Sequence, residues 1–311
     1  GNFCGSVFPL MLIGAFVSFG RSEATSWTLT AAIFAGASAI AIGSMVAVTK
    51  GRELIIDRSQ EVGKPNLLKD YFEVLKAKPT KYLIFAIICF IIVNSIFASN
   101  LAFFIIYKLN MSADVYVPTI MAIMFIIAIP MAPIINLIAQ KLDKRKAFIL
   151  LFCVSGVLIL LLRVIGVDSY YMLIALSVAY VISNASYWQL ISATLYDVAE
   201  VVELNTGKRY EGALISLQSI TQQVGSAIAV FLMGWFLQLN GFNAAAETQT
   251  EQALGAISTL QTVIPSILLF IGAAMLLLFP ITKSKYELVQ QALVQKEKTG
   301  SYDKTGLERI V

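Results

Sequence analysis

Eight apolar stretches, nearly free of charge and long enough to cross a bilayer, dominate this chain. They run over about 3–20, 27–49, 81–106, 115–139, 147–166, 170–196, 211–240 and 257–282. Hydrocarbon offers the backbone no hydrogen-bond partner, so spans of this kind must be helices that pair their own N–H and C=O groups. The one charge within the central part of a span is Arg163, close enough to its helix end to reach the headgroups. Charged residues make up 14% of the chain, against about 25% in soluble domains. The expected fold class is an all-α membrane protein, a helical bundle with eight transmembrane helices.

Lys and Arg in the connections set the expected orientation. One side carries Lys50, Arg52, Arg58, Lys64, Lys69, Lys76 and Lys78, the loop Lys141, Lys144, Arg145, Lys146, then Lys208, Arg209 and the tail from Lys283. The other side has Arg21, Lys108 and the nearby Arg163. The excess places the first group in the cytoplasm, and the alternation closes over all eight spans.

The connection 50–80 is the natural boundary, polar and punctuated by Gly63, Pro65 and Pro79. Asn66 is placed to cap a short amphipathic helix bearing Leu67, Leu68, Tyr71, Phe72 and Leu75, lying on the membrane surface. Residues 1–49 then read as the last two helices of an N-terminal bundle, and 81–282 as a C-terminal six-helix bundle. The tail 283–311 reads as a solvated cytoplasmic helix that frays. Two spans before the loop and six after it suggest that four are missing from the front. The apolar run that begins within two residues of Gly1 likewise reads as a chain without its natural start.

Composition removes several chemistries. There is no histidine, and Cys4, Cys89 and Cys153 sit in apolar segments without metal-ligand spacing. No basic stripe interleaved with aromatics points to nucleic acid. No nucleotide-binding glycine loop and no carboxylate pair within a span are present. Neither catalytic nor metal residues are assigned, and no cofactor is expected.

Three polar groups remain. The span 170–196 carries Asn184, Ser186, Tyr187, Trp188 and Gln189 near its middle, well inside the usual aromatic belt. Two readings stand side by side: helix–helix glue, or an aromatic platform with amides for a sugar ring. The span 211–240 places Gln218 and Gln222, and beside them Ser219 and Gln223, in two i,i+4 rows. So many neutral donors and acceptors cannot face lipid cheaply and suit a polyhydroxy solute. Asn94, Ser95, Ser99 and Asn100 give the span 81–106 a polar side toward the same place. Counting about 1.5 Å per residue, Trp188 lies about 12 Å from Tyr196, and Gln218 to Gln222 about 11–17 Å from Glu211, at matching depths. Third, Asp197, Glu200 and Glu203 recur at three-residue steps. Facing Lys144, Arg145 and Arg209, they form a candidate cytoplasmic gate of breakable ion pairs, with a solvated charged loop as the alternative.

The stretches Asn184-Ala-Ser-Tyr-Trp188, Tyr196-Asp-Val-Ala-Glu-Val-Val-Glu203, Thr206-Gly-Lys-Arg-Tyr-Glu-Gly212 and Ser216-Leu-Gln-Ser-Ile220 resemble the glycoside–pentoside–hexuronide:cation symporter family of the major facilitator class. The loop Lys141-Leu-Asp-Lys-Arg-Lys146 is similar to the facilitator loop between helices eight and nine. The resemblance implies that the eight spans are helices five to twelve of twelve, with sugar contacts from Trp188, Gln218, Ser219 and Gln222. It implies gate residues at Asp197, Glu200 and Arg209, and partners that are a small sugar, a coupling cation and membrane lipid. Gln223 departs from melibiose permease, where a lysine tied to sugar and cation handling stands. The cation, Na⁺ or H⁺, is implied to bind in helices outside this chain. A multipass enzyme acting on lipid-linked sugars, or a channel, are the alternatives of other classes.

Because alternating access needs two bundles around one midplane site, these 311 residues alone are expected not to transport. Vesicles reconstituted with this chain should show no sugar-dependent uptake, and uptake above protein-free vesicles would contradict the reading.

Overall fold

A computed structural model describes residues 2–51, 67–208, 210–246, 248–299, 301–302, 305 and 307. The described residues are helical, and they fall into two units, Gly1–Pro65 and Asn66–Val311. The first unit holds α1 (Asn2–Ser18) and α2 (Glu23–Thr49). Ser22 starts α2 by accepting from the Thr25 N–H at 3.3 Å, one of the donors that a helix start leaves unpaired. Phe8 meets Phe34 edge-on at 6.4 Å between the two helices.

The second unit begins with α3 (Leu67–Lys76), whose Val74 is fully buried while Phe72 on its other face is exposed. The expected cap Asn66 lies outside the described residues. Then come α4 (Lys78–Phe103), continued by a π-helical turn Phe104–Lys108, α5 (Ala113–Leu142) and α6 (Lys144–Ile165). They are followed by α7 (Tyr170–Thr206), α8 (Glu211–Leu239), α9 (Glu251–Gln261), α10 (Val263–Leu278) and α11 (Lys283–Thr299). Ser169 and Thr250 cap α7 and α9 as Ser22 caps α2. Gly207, at φ +72°, ends α7 in the left-handed conformation that only glycine adopts freely.

Among the described residues, seven segments are long and apolar enough to cross a membrane: α2, α4 with its π turn, α5, α6, α7, α8 and the run Glu251–Leu278. The first of the eight expected spans corresponds to the 17-residue α1. The last expected span is not one helix. It breaks at Thr262, because Pro265 has no N–H for the Gln261 carbonyl and its ring crowds that turn. Asn100 and Gln261, both fully buried, brace the break. Asn100 donates to the Ile257 carbonyl at 2.9 Å and to Gln261 Oε1 at 2.8 Å. Expected among the cavity-lining polar residues, Asn100 is instead an internal brace.

The tail also differs from a frayed, solvated helix. Its first segment, α11, packs on α7, with Val289 fully buried, and Lys296 donates to the Leu204 carbonyl at 2.6 Å. Lys283–Thr299 therefore buries an apolar face that its lysine- and glutamine-rich composition conceals.

Small residues set how closely the helices approach. A Cβ on Gly225 of α8 would meet Ile91 Cγ2 of α4 at 3.2 Å, tighter than ordinary contact. Nearby, Ser95 donates to Ser226 at 3.0 Å, a polar stitch between α4 and α8. Gly225→Leu should wedge these helices apart and cost about 1–3 kcal/mol. The change is measurable as a lower unfolding temperature of the detergent-solubilised protein, and an unchanged temperature would contradict this packing.

Candidate functional site

Two aromatic stacks join α4 to α7. Phe90 lies on Tyr187 with ring centroids 4.0 Å apart, and Phe97 on Tyr180 at 3.9 Å, both nearly parallel. Each pair is seven residues from the next on its own helix, and the pairing order runs opposite ways, so α4 and α7 are antiparallel here. Stacking buries the rings and leaves each phenol oxygen at the edge of the helix pair.

Those oxygens organise the polar residues. Tyr180 donates to Asn94 Oδ1 at 2.7 Å, and Asn184 Nδ2 reaches the same oxygen at 3.1 Å and the Tyr180 hydroxyl at 3.0 Å. Asn94 and Asn184 thus satisfy one another through Tyr180. One heptad along α7, the Tyr187 hydroxyl accepts from Gln222 Nε2 of α8 at 3.2 Å, and Gln218 lies half-buried one turn before Gln222. Trp188 meets Tyr187 edge-on at 5.1 Å and keeps 42% of its surface exposed. Asn184 and Trp188, four apart, share a face of α7. The Ser219 hydroxyl turns back to the Ile215 carbonyl at 3.0 Å, and Ser219 and Gln223 lie exposed on α8. Trp188 and Gln222 therefore come together at Tyr187, with Asn94 and Asn184 joined through Tyr180 as a second cluster. Gln189 stands apart, donating to the Ala132 carbonyl of α5 at 3.0 Å.

Tyr180 and the organising role of Tyr187 escape a reading based on polarity, because both are more than nine-tenths buried and read as core. The recoverable signal is the matched seven-residue spacing of Phe90 and Phe97 on one helix and Tyr180 and Tyr187 on the other.

The charged group sits at the end of α7. Lys144, the first residue of α6, pairs with Asp197 at 2.8 Å and 3.0 Å. Lys144 also lies 5.2 Å over the ring of Tyr286 on α11, while Tyr286 donates to Glu200 Oε1 at 2.9 Å. Burial first, then the Glu200 carboxylate, pushes the Tyr286 phenol up to about 12, so it remains a donor at neutral pH. A cavity of about 510 Å³ opens here, lined by Asn136, Gln140, Lys144, Asp197 and Tyr286 among others. Glu200, Glu203 and Glu211 line a second, of about 630 Å³, with Lys296.

Arg145 does not join these acids. It donates Nε to the Leu276 carbonyl at 2.9 Å and Nη2 to Leu277. The last carbonyls of a helix have no partner within it, and a planar guanidinium can serve two at once. Arg145 is a cap for α10. Arg209 lies outside the described residues.

Asp143 is the whole connection between α5 and α6 and takes φ +86°, unusual for a residue with a Cβ. It accepts from the Lys283 N–H at 3.0 Å, fixing the start of α11 to this turn.

Among the described residues, the membrane-length helices packed in the second unit define a polytopic helical fold, and the comparisons supply its family. Residues 1–283 match the family described as MFS/sugar transport protein, and the chain belongs to it. An uncharacterized symporter of Synechocystis sp. is 33% identical over 129 residues, 40% of this chain and 22% of that protein. A putative glycoside/cation symporter of Escherichia coli is 24% identical over 157 residues, 50% of this chain and 34% of that protein. A glucuronide carrier protein homolog of the same organism is 22% identical over 241 residues, 76% of this chain and 51% of that protein. The matched chain thus spans about half or less of the length of these relatives.

The Lys144–Asp197 pair is asymmetric, with side chains 41% and 10% exposed. Removing Lys144 strands a buried carboxylate, whereas removing Asp197 leaves a lysine that can turn to water. Lys144→Ala should cost about 2 kcal/mol and Asp197→Ala less than about 1 kcal/mol. Thermal unfolding of the two variants in detergent checks the order, and the reverse order would contradict it.

Proposed function

We propose that the protein carries a sugar, glycoside, pentoside or hexuronide across the cell (inner) membrane, coupled to Na⁺ or H⁺. The solute occupies the face built by α7 and α8, stacking on Trp188 and hydrogen-bonding Gln218, Gln222, Ser219 and Gln223. Asn94 and Asn184 extend the polar lining. The observation that carries this reading is the convergence of Trp188 and Gln222 on one phenol from two helices. An exposed indole beside neutral amides suits a sugar, whose ring face is apolar and whose edge is hydroxyl groups. Family membership and the symporter and carrier names of the relatives support it.

Transport proceeds by two bundles rocking about this face. The coupling cation binds in helices outside this chain. Residues 50–80 and the tail lie in the cytoplasm, following the excess of Lys and Arg on that side. There, Lys144 with Asp197, and Tyr286 with Glu200, form a gate that must part when the site opens inward. Glu203 belongs to the same charged rim.

In the intact protein, Trp188→Ala should raise the apparent dissociation constant for sugar at least tenfold without reducing the amount in the membrane. Gln222→Leu should act likewise by stranding a solute hydroxyl, at about 1–3 kcal/mol. If both variants bind as the parent does, the assigned site is wrong.

A further inference from the structure

The gate lysine, Lys144, is paired with one of two neighbouring acids. Asp197 and Glu200 stand three residues apart, on one face of α7. Both Asp197 oxygens take the ammonium, at 2.8 Å and 3.0 Å, and among the described residues this is the ion pair that Lys144 makes. Glu200 accepts from the Tyr286 hydroxyl through Oε1 at 2.9 Å, while its Oε2 is buried without a hydrogen-bond partner. A bare carboxylate oxygen away from water is costly, and an ammonium on a flexible four-carbon stem is a ready partner for it.

Tyr286 of α11 touches both sides of this choice. Lys144 Nζ lies 5.2 Å over its ring. Its hydroxyl gives its one proton to Glu200 and accepts from Gln290 Nε2 at 3.0 Å. We infer that Tyr286 is a positioning residue that commits Lys144 to Asp197. Its ring face holds the ammonium, and its proton occupies Glu200, the acid that competes for the same lysine. Without that proton, Glu200 offers two open oxygens about one helical turn from Asp197, and Lys144 is shared between the acids. The tail helix thereby sets which acid the gate lysine holds. The inference rests on the gate proposed above and says how α11 takes part in it.

This role is separable from docking, because other contacts hold α11. Val289 is fully buried, Lys296 donates to the Leu204 carbonyl at 2.6 Å, and the Lys283 N–H reaches Asp143 at 3.0 Å. Tyr286→Phe keeps the ring beneath the ammonium and removes only the hydroxyl. The test acetylates the intact, detergent-solubilised protein with N-hydroxysulfosuccinimide acetate and reads each lysine by mass spectrometry. The reagent needs the free amine, so a lysine held as ammonium by a carboxylate reacts slowly. Lys296 reports whether α11 stays on α7.

Asp197→Asn should speed the acetylation of Lys144 about fivefold or more, because Tyr286 keeps Glu200 occupied. In a Tyr286→Phe background, the same change should leave Lys144 within about twofold of the parent, because Glu200 takes over the ammonium. Adding Glu200→Gln to that pair should restore the full rise. Lys296 should react at the parent rate throughout. A full rise in the Tyr286→Phe, Asp197→Asn protein would mean that Lys144 does not reach Glu200, and would overturn the inference. A silent Asp197→Asn in the parent would overturn it too, since Tyr286 would then not be excluding Glu200. So would a faster Lys296 in Tyr286→Phe, which would make the hydroxyl a support of the helix and not of the lysine. This readout needs no solute, so the gate fails separately, if Lys144→Met leaves sugar uptake by the intact protein unchanged.

Discussion

Hydrocarbon cannot hydrogen-bond, so every polar side chain within a span must find its partner inside the protein or in water. That constraint explains where almost every polar group of the second unit goes. Ser155 donates to the Ala179 carbonyl and bonds Ser183, Ser95 finds Ser226, and Asn100 braces the break at Thr262. Each of these pairs is spent on holding helices together. Against that background, an exposed Trp188 beside Gln218, Gln222, Ser219 and Gln223 is the exception: polar capacity beyond what packing uses, gathered on one face.

The aromatic stacks determine how that capacity is aimed. Phe90 and Phe97 place two tyrosines at fixed heights on α7; the Tyr180 phenol joins Asn94 and Asn184, and the Tyr187 phenol accepts from Gln222. One cluster, around Tyr180, closes on itself and satisfies Asn94 and Asn184. The other, around Tyr187, takes one amide N–H from Gln222 on the neighbouring helix. Two similar motifs a heptad apart thus serve different ends, one within the α4–α7 pair and one reaching α8.

Much of this was legible in the sequence. Apolar length marked the helices, and the charged runs marked the end where Lys144 meets Asp197. What the sequence hid has physical causes. Pro265 divides α9 from α10 at a break where Asn100 holds the Ile257 carbonyl and the Gln261 side chain, while Pro118, Pro130 and Pro133 lie within an unbroken α5. Arg145 and Lys144 look interchangeable in a basic loop, yet the fork of one fits helix carbonyls and the point charge of the other fits a carboxylate. A polar tail helix gave no sign that Tyr286 would reach Glu200 or that Asp143 would anchor its start. Tyrosines that read as core turned out to organise the polar site.

The central claim is that the α7–α8 face is a wet, solute-occupied surface and not buried glue or a lipid-facing stripe. Ser219 is exposed on that face and small enough to replace without disturbing the packing. In an intact protein with Cys4, Cys89 and Cys153 replaced by serine or alanine, Ser219→Cys should react with a membrane-impermeant thiol reagent. Saturating 4-nitrophenyl galactoside or xyloside should slow that reaction at least fivefold. A cysteine at 219 that stays unreactive in open membrane fragments, or reacts equally fast with and without either glycoside, would contradict the account.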